Sequence, residues 1–321
     1  MARVRSPIPP PRPITTLAGG VGAAKFIRGL ARRIAPEQMA VVVNTGDDDL
    51  FYGLHVSPDI DTVTYTLAGV VNRTLGYGRE DDSHAALAAL DGFYGPHWFT
   101  LGDRDLATHI YRTDQMRSGA RLSQVTAKVA RALGVRAQVM PMSDDPVRTF
   151  VKLRGRPPLP FQQYFVRGRA RGVVENIELR GADTARVLPA AIRAMRGSAA
   201  VIIAPSNPFV SIGPILALGG VRAALRKMRD RVAAISPIVG GKTIKGPADK
   251  MLRGLKLEAS ALGVARLYSD IAGAFVIDNL DRARAAEIEK LGMRVVVTDT
   301  IMTTPAKAAR LAQVVLRALA V

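Results

Sequence analysis

Two kinds of apolar pattern alternate along this chain. The first is a short, largely apolar run: Ile14–Ala18, Met39–Val43, Arg136–Met140, Ala199–Ala204, Arg231–Ile235, Phe275–Asp278 and Arg294–Thr298. Runs of this length, bounded by turn residues, predict strands, and the most continuous of them predict burial on both faces. The second pattern has a helical period. It follows the first strand to about Ala35, occupies part of 62–95 including Ala85–Leu90, recurs at 120–133 and 183–196, and fills 305–320. Strands alternating with helices predict an α/β fold built on a doubly wound, mostly parallel, Rossmann-like sheet. One region departs from the alternation. Residues 145–195 hold Lys152, Arg154, Arg156, Arg167, Arg169 and Arg171 and a strand over Val173–Leu179 broken up by Pro and Gly, which predicts an inserted smaller subdomain. Residues 1–13 are rich in Pro and Arg and predict a disordered arm, with one domain over 14–321.

Polar residues gather where these strands end. After Ile14–Ala18 comes Gly19-Gly20-Val21-Gly22-Ala23-Ala24-Lys25, then a helix. Strand, glycine turn and helix make a phosphate cradle, because glycines admit the anion to the backbone and the helix start supplies free N–H groups. Neither named glycine fingerprint fits, since Lys25 lies between Ala24 and Phe26 and also occupies the third position after Gly22. A purely structural tight turn is the alternative. After Met39–Val43 come Asp47, Asp48 and Asp49, then Asp59 and Asp61, five acids within fifteen residues. Crowded carboxylates repel unless a cation lies among them, and Mg²⁺ prefers carboxylate oxygens with water or phosphate as further ligands. A solvated acidic loop that caps the next helix is the plainer reading.

Further strand ends repeat the theme. Pro205-Ser206-Asn207-Pro208 fixes a rigid loop whose side chains suit a base or phosphate, or simply cap a helix. Lys242 and Lys245, among Gly240, Gly241 and Gly246, suit phosphate oxygens, or form a flexible basic loop. Leu101-Gly102-Asp103 predicts a turn, with Asp105 as a cap of the following helix and His109 four residues later, either structural or catalytic. In open α/β sheets ligands collect outside the carboxyl ends of strands, so the glycine turn and the acids should share one crevice.

Composition narrows the partners. The chain has 45 Lys+Arg against 27 Asp+Glu, a formal charge of +18, which favours polyanions such as nucleic acid or phosphorylated metabolites. Much of that charge is scattered along helices, and aromatics are only 5%, a poor supply of stacking platforms, so nucleic acid is not the expected partner. There is no Cys, which excludes disulfides and thiolate chemistry. No apolar run reaches the ~18 residues a spanning helix needs, and the first residues lack a secretory apolar segment. A soluble cytoplasmic protein away from membranes is the expectation.

Taken together, AGGVGAAKFIRGL, VVNTGDD, SPDIDTVTYTLAG, LGDRDLATH, LSQVT, MPMSDDPVRT, FQQYFVRGRA, APSNPFVSIGPIL and ISPIVGGKTIKGPADKML resemble the CofD-type 2-phospho-L-lactate transferases of deazaflavin coenzyme (F-420) biosynthesis. The stretches occur in that family's order over nearly everything from residue 14 onward. The resemblance implies transfer of a phospho-organic acid (2-phospholactate, phosphoenolpyruvate or 3-phosphoglycerate type) from its GDP-activated form to the ribityl hydroxyl of the Fo deazaflavin. GMP leaves, and Mg²⁺ is required. It implies Asp61 and Thr100 as deazaflavin contacts, Thr100 standing where archaeal relatives tend to carry Lys. Asp47 and Asp48 match the family's acidic pair and are the implied metal ligands, with Asp49 an extra acid. Gly19, Gly20, Val21, Gly22, Ser206, Asn207, Lys242 and Lys245 are the nucleotide candidates. Asp61 is also the candidate general base, and a homodimer is the expected assembly. A YvcK-like nucleotide-sugar-binding protein and an NAD(P)-dependent oxidoreductase are the alternatives.

Overall fold

The computed structural model describes residues 12–321, so the Pro/Arg-rich arm lies outside the described residues but for Arg12 and Pro13. Seven strands form the central sheet: β1 (Ile14–Ala18), β2 (Met39–Val43), β3 (Gln138–Pro141), β4 (Ala200–Ile203), β5 (Val232–Ile235), β6 (Ala274–Asp278) and β7 (Arg294–Thr298). All are parallel, in the order β7-β6-β5-β4-β1-β2-β3. The order reverses between β1 and β4, and such a switch point opens a crevice at the carboxyl ends. Each expected strand is present to within a few residues.

The strands of the sheet interior are largely apolar because both sheet faces are covered. Along β2, Met39, Val41 and Val43 point into one core, with Phe26, Ile27 and Leu30 of helix α1 (Gly20–Leu30) and Leu311 and Val315 of the C-terminal helix Pro305–Ala318. Ala40 and Val42 point into the other, with Ile215, Leu225, Val264 and Met195. Helix α1 stops at Leu30, short of the expected Ala35, and Pro36 opens a one-turn 3₁₀ segment instead. The helix expected over 183–196 starts only at Pro189, because the chain before it is tied to the end of β3: Leu188 N–H donates to Met142 C=O at 2.9 Å.

Four more helices frame the site: α2 (Pro58–Ala68), α3 (Ala85–Tyr94), α4 (Asp103–Arg117) and α5 (Leu122–Ala132). Two additions sit on the carboxyl side of the sheet. A hairpin pairs Asp49–Phe51 with Leu54–Val56 through Tyr52 and Gly53, both at positive φ, the conformation that two-residue hairpin loops favour. The inserted subdomain is a three-stranded antiparallel sheet of Arg148–Leu153, Leu159–Pro160 and Val174–Arg180. It has its own small core around Val151, Phe161, Tyr164 and Met251. Helix Pro189–Gly197 packs through Ala191 and Met195 into the main core, so the insertion is a compact sheet over 148–180.

Candidate active site

Asn44 is the residue from which the site is built. It sits one step beyond β2, where its N–H still donates to Ala18 C=O at 2.9 Å. Its side chain then leaves the sheet. Nδ2 donates to Asp59 Oδ2 at 2.9 Å and to Val210 C=O at 3.1 Å, and Oδ1 accepts from Gly46 N–H at 2.9 Å. One amide thus ties together the acidic loop, the first turn of α2 and the loop after β4. The loop itself is internally braced: Ser206 Oγ donates to Gly19 C=O at 2.7 Å, and Asn207 Oδ1 accepts from Phe209 N–H at 2.9 Å.

The glycine turn approaches this loop closely. Gly20 has φ +70°, and a Cβ on Gly22 would lie 2.4 Å from Pro205 C=O, a backbone atom that cannot step aside. Helix α1 therefore begins flush against the loop, with Gly19 as its N-cap and the Asp59 carboxylate beside the Gly20 N–H.

These walls enclose a crevice of about 630 Å³, an ordinary size for a small-molecule site. Gly19, Gly20, Val21, Gly22, Asp47, Asp61, Thr100, Ser206, Asn207 and Lys245 all face it. Asp48 lies behind that lining. Lys242 does not face it: it is exposed on a two-residue strand paired with Ile238–Val239, so its expected phosphate contact is not supported by its position. Lys245 donates from Nζ to Leu75 C=O at 2.5 Å and lies over the Tyr77 ring, near Lys25 on the same wall.

The acids are not a solvated loop. Asp47, Asp48, Asp59 and Asp61 are each 5–6% exposed. Burial raises the proton affinity of Asp47 well above the ordinary carboxylate range, and Asp59 and Asp48 add to it. Burial does the same at Asp48, against the bond that Ser57 Oγ donates to its Oδ2 at 2.7 Å. Oδ1 of Asp47 and Oδ1 of Asp48 are buried without a hydrogen-bond partner. Buried unpaired carboxylate oxygens are unfavourable and suit a cation. Among the described residues no three His, Cys, Asp or Glu converge on one point, so any ion here would take the Asp47–Asp48 pair with water or phosphate oxygens. Asp49 is occupied differently: Arg148 Nη1 contacts its Oδ1 at 2.6 Å and also donates to Asp48 C=O.

A second group of acids lies on the α2–α4 side and has an internal cation. Arg112 is fully buried. Its Nη1 donates to Asp61 Oδ2 at 3.0 Å and its Nη2 to Asp61 Oδ1, so both oxygens of Asp61 are engaged. Asp61 faces the crevice with its carboxylate gripped bidentately by this guanidinium. Nη1 of Arg112 also lies 3.2 Å from His109 Nδ1. Burial, more than any charge, pulls the His109 pKa down to about 4, so the ring is neutral. His109 Nε2 points toward Asp105 Oδ1, 4.0 Å away. Asp105 is not the helix cap expected: Gly102 holds that position, and Asp105 lies inside the first turn of α4, facing the crevice.

Of the site residues, Asp59 is read from the sequence only as one of five crowded acids, Asp105 only as a helix cap, His109 as either structural or catalytic, and Arg112 not at all. The signal for the last three was present: Asp105, His109 and Arg112 recur at i, i+4 and i+7, which is one face of a helix. A polar stripe at that spacing normally faces solvent, and here it faces α2.

The family of 2-phospho-L-lactate transferase CofD matches residues 14–315 of this chain. A phosphoenolpyruvate transferase of Kitasatospora aureofaciens is 39% identical over 309 residues, covering 94% of this chain and 96% of that protein. A 2-phospho-L-lactate transferase of Methanosarcina mazei is 36% identical over 301 residues, covering 94% and 98%. A solved Bacillus halodurans protein of the UPF0052 family superposes with a TM-score of 0.61 at 15% identity, over 94% of this chain and 99% of that one, a likeness of fold.

Proposed function

This chain belongs to the CofD family of 2-phospho-L-lactate transferases, and from that premise we propose that it transfers a phospho-organic acid from a GDP-activated donor to the ribityl hydroxyl of the Fo deazaflavin, releasing GMP. The observation that carries this reading is the convergence, in one crevice at the sheet's switch point, of the glycine turn that starts helix α1 and a buried carboxylate group with unpaired oxygens. The first suits the phosphates of a nucleotide diphosphate, and the second suits the cation that accompanies them.

In the proposed reaction the hydroxyl oxygen forms a bond to the phosphorus that carries the organic acid. The P–O bond to GMP breaks with its electron pair on the nucleotide, and the hydroxyl proton passes to the protein or solvent. Phosphoryl transfer asks a protein mainly for positioning and charge neutralisation. The N–H groups of Val21 and Gly22, beyond the Gly20 N–H that Asp59 holds, receive phosphate oxygens, and Lys25 and Lys245 on the same wall offset their charge. Asp47 and Asp48 would hold Mg²⁺, which when bound would supply charge neutralisation at the diphosphate. The aromatic cluster of Phe51, Trp98 and Phe99, with Phe51 and Phe99 stacked at 4.1 Å, leads to Thr100 and offers a flat apolar flank for the deazaflavin.

The test mixes the protein with Mg²⁺, the deazaflavin and each of three guanylylated acids (lactate, phosphoenolpyruvate and glycerate types) in turn. GMP release with a new deazaflavin product is the expected result, and the reacting donor identifies the acid. Absence of product with every donor, from protein that binds a nucleotide-sugar or NAD(P), would overturn the proposal.

A further inference from the structure

The crevice holds two carboxylates on the α2–α4 side, and they differ in their partners. Asp61 has both oxygens on Arg112. Asp105 faces the same crevice with its side chain 13% exposed, and its Oδ1 is buried without a hydrogen-bond partner. Beneath it lies a chain of defined polarity. Arg112 has only donors, so His109 Nδ1, 3.2 Å from Nη1, accepts. The proton of the neutral ring is therefore on Nε2, which has no partner of its own and points at Asp105 Oδ1, 4.0 Å away.

We propose that Asp105 is the catalytic residue that takes the proton from the acceptor hydroxyl as the new P–O bond forms, with His109 and Arg112 as positioning residues beneath it. The inference rests on the transferase reading and assigns the base that reading requires. Bond making and breaking are as written above: the hydroxyl oxygen joins phosphorus, GMP departs with the electron pair of the broken P–O bond, and the proton resides on Asp105 until solvent removes it. The environment favours this role. Groups facing Asp105 are Asp61 and Tyr65 from α2, Asp82 from the preceding loop, and His109 and Arg112 from its own helix. Burial first, and Asp61 second, push the Asp105 pKa up to about 7, near the optimum for a general base at neutral pH.

Asp105→Asn keeps the shape of the side chain and removes the base. The expected result is a fall in kcat of about 100-fold or more, with deazaflavin and GDP affinities, read by fluorescence titration, within about threefold of wild type. Wild-type kcat should rise with pH through a midpoint near 7, and that step should vanish in Asp105→Asn. His109→Leu removes the Nε2 donor and should move the midpoint upward, whereas His109→Gln keeps a donor and should restore it. A thermal melt shows that each variant is folded. Asp105→Asn turning over within about threefold of wild type, a defect confined to deazaflavin affinity, or an unmoved midpoint in His109→Leu would overturn the assignment. Wild-type protein inert with every donor would overturn the transferase reading and this inference together, whereas active wild type with an undiminished Asp105→Asn would overturn only the base.

Discussion

Two groups of buried acids face one crevice, and they solve the same electrostatic problem in opposite ways. On the α2–α4 side the charge of Asp61 is met by Arg112, a cation built into the fold. At the end of β2, Asp47 and Asp48 keep an unpaired oxygen each; their neighbours are Asn44, Ser57, Asp59 and one another, and Arg112 reaches Asp48 only by its field. In the first arrangement both oxygens of Asp61 are satisfied from within the fold. The second is left incomplete, and it lies beside the helix start where a diphosphate fits. A protein that buries acids without their counter-charge holds a site whose occupant carries that charge.

The largest effect should come from breaking the complete group. Arg112→Met leaves Asp61 charged, buried and alone, which costs about 3–5 kcal/mol of stability. Chemical denaturation at neutral pH would measure it. Arg112→Met/Asp61→Leu should recover much of the loss, because the stranded charge has gone as well. A single variant as stable as wild type would mean that Asp61 is not anchored in this way.

Asp105 comes next, and its effect depends on pH. Its folded pKa, about 7, lies above the ordinary aqueous value for a carboxyl. The sign follows from that elevation: the protonated form is favoured by folding, so the contribution is fully present below the unfolded pKa and is lost as pH rises through about 7. Asp105→Asn carries no such titration. Its stability relative to wild type should therefore grow between pH 4 and 8, by up to on the order of 3–4 kcal/mol. Parallel urea curves across that range would show it, and a difference independent of pH would contradict it.

These contrasts also explain what was legible in the sequence. The seven sheet strands were readable because strands covered on both faces leave no room for polar positions, so Met39–Val43 or Ala200–Ile203 appears as an unbroken run. The β2-end acids and the glycine turn were readable because both sit where a sheet opens. The hairpin over 49–56 was not, since its three-residue strands are too short to show a period and Leu50 is exposed. Arg112 was hidden for a different reason. An Arg in a helix with Asp103, Arg104, Asp105, Asp114 and Arg117 reads as surface charge, and only the packing of α4 against α2 makes it a fully buried cation. Asp105 was mistaken for a cap because Asp near a helix start is usually one.

The incomplete group predicts a change of opposite sign. Asp47→Asn removes like-charge repulsion with Asp59 and Asp48, so it should stabilise the protein without divalent ions by ~1–2 kcal/mol, a few degrees in Tm. The same substitution should abolish the rise in Tm that Mg²⁺ and GDP produce in wild type, since stabilisation by a ligand follows its affinity for the folded state. Differential scanning fluorimetry with and without Mg²⁺ reads both at once. If Asp47→Asn keeps the full Mg²⁺ shift, the ion is held elsewhere.

The smallest effect separates two lysines that the sequence treats alike. Lys245 stands on the crevice wall with Lys25, and burial and that neighbour lower its pKa, so it is a cation placed beside a cation. Such a pair is relieved by an anion between them, as the carboxylate pair across the crevice is relieved by a metal. Lys242 stands outside on its short hairpin, exposed and away from the lining. Lys245→Ala should weaken GDP binding by about three- to tenfold, an effect that shrinks as salt is raised because the contact is partly exposed. Lys242→Ala should change it by less than about twofold. Isothermal titration of GDP at low and high salt distinguishes them. Equal losses from the two substitutions would mean that the basic loop acts through its overall field rather than through one ammonium group. The symmetry between a carboxylate pair awaiting a cation and a lysine pair awaiting an anion would then not hold.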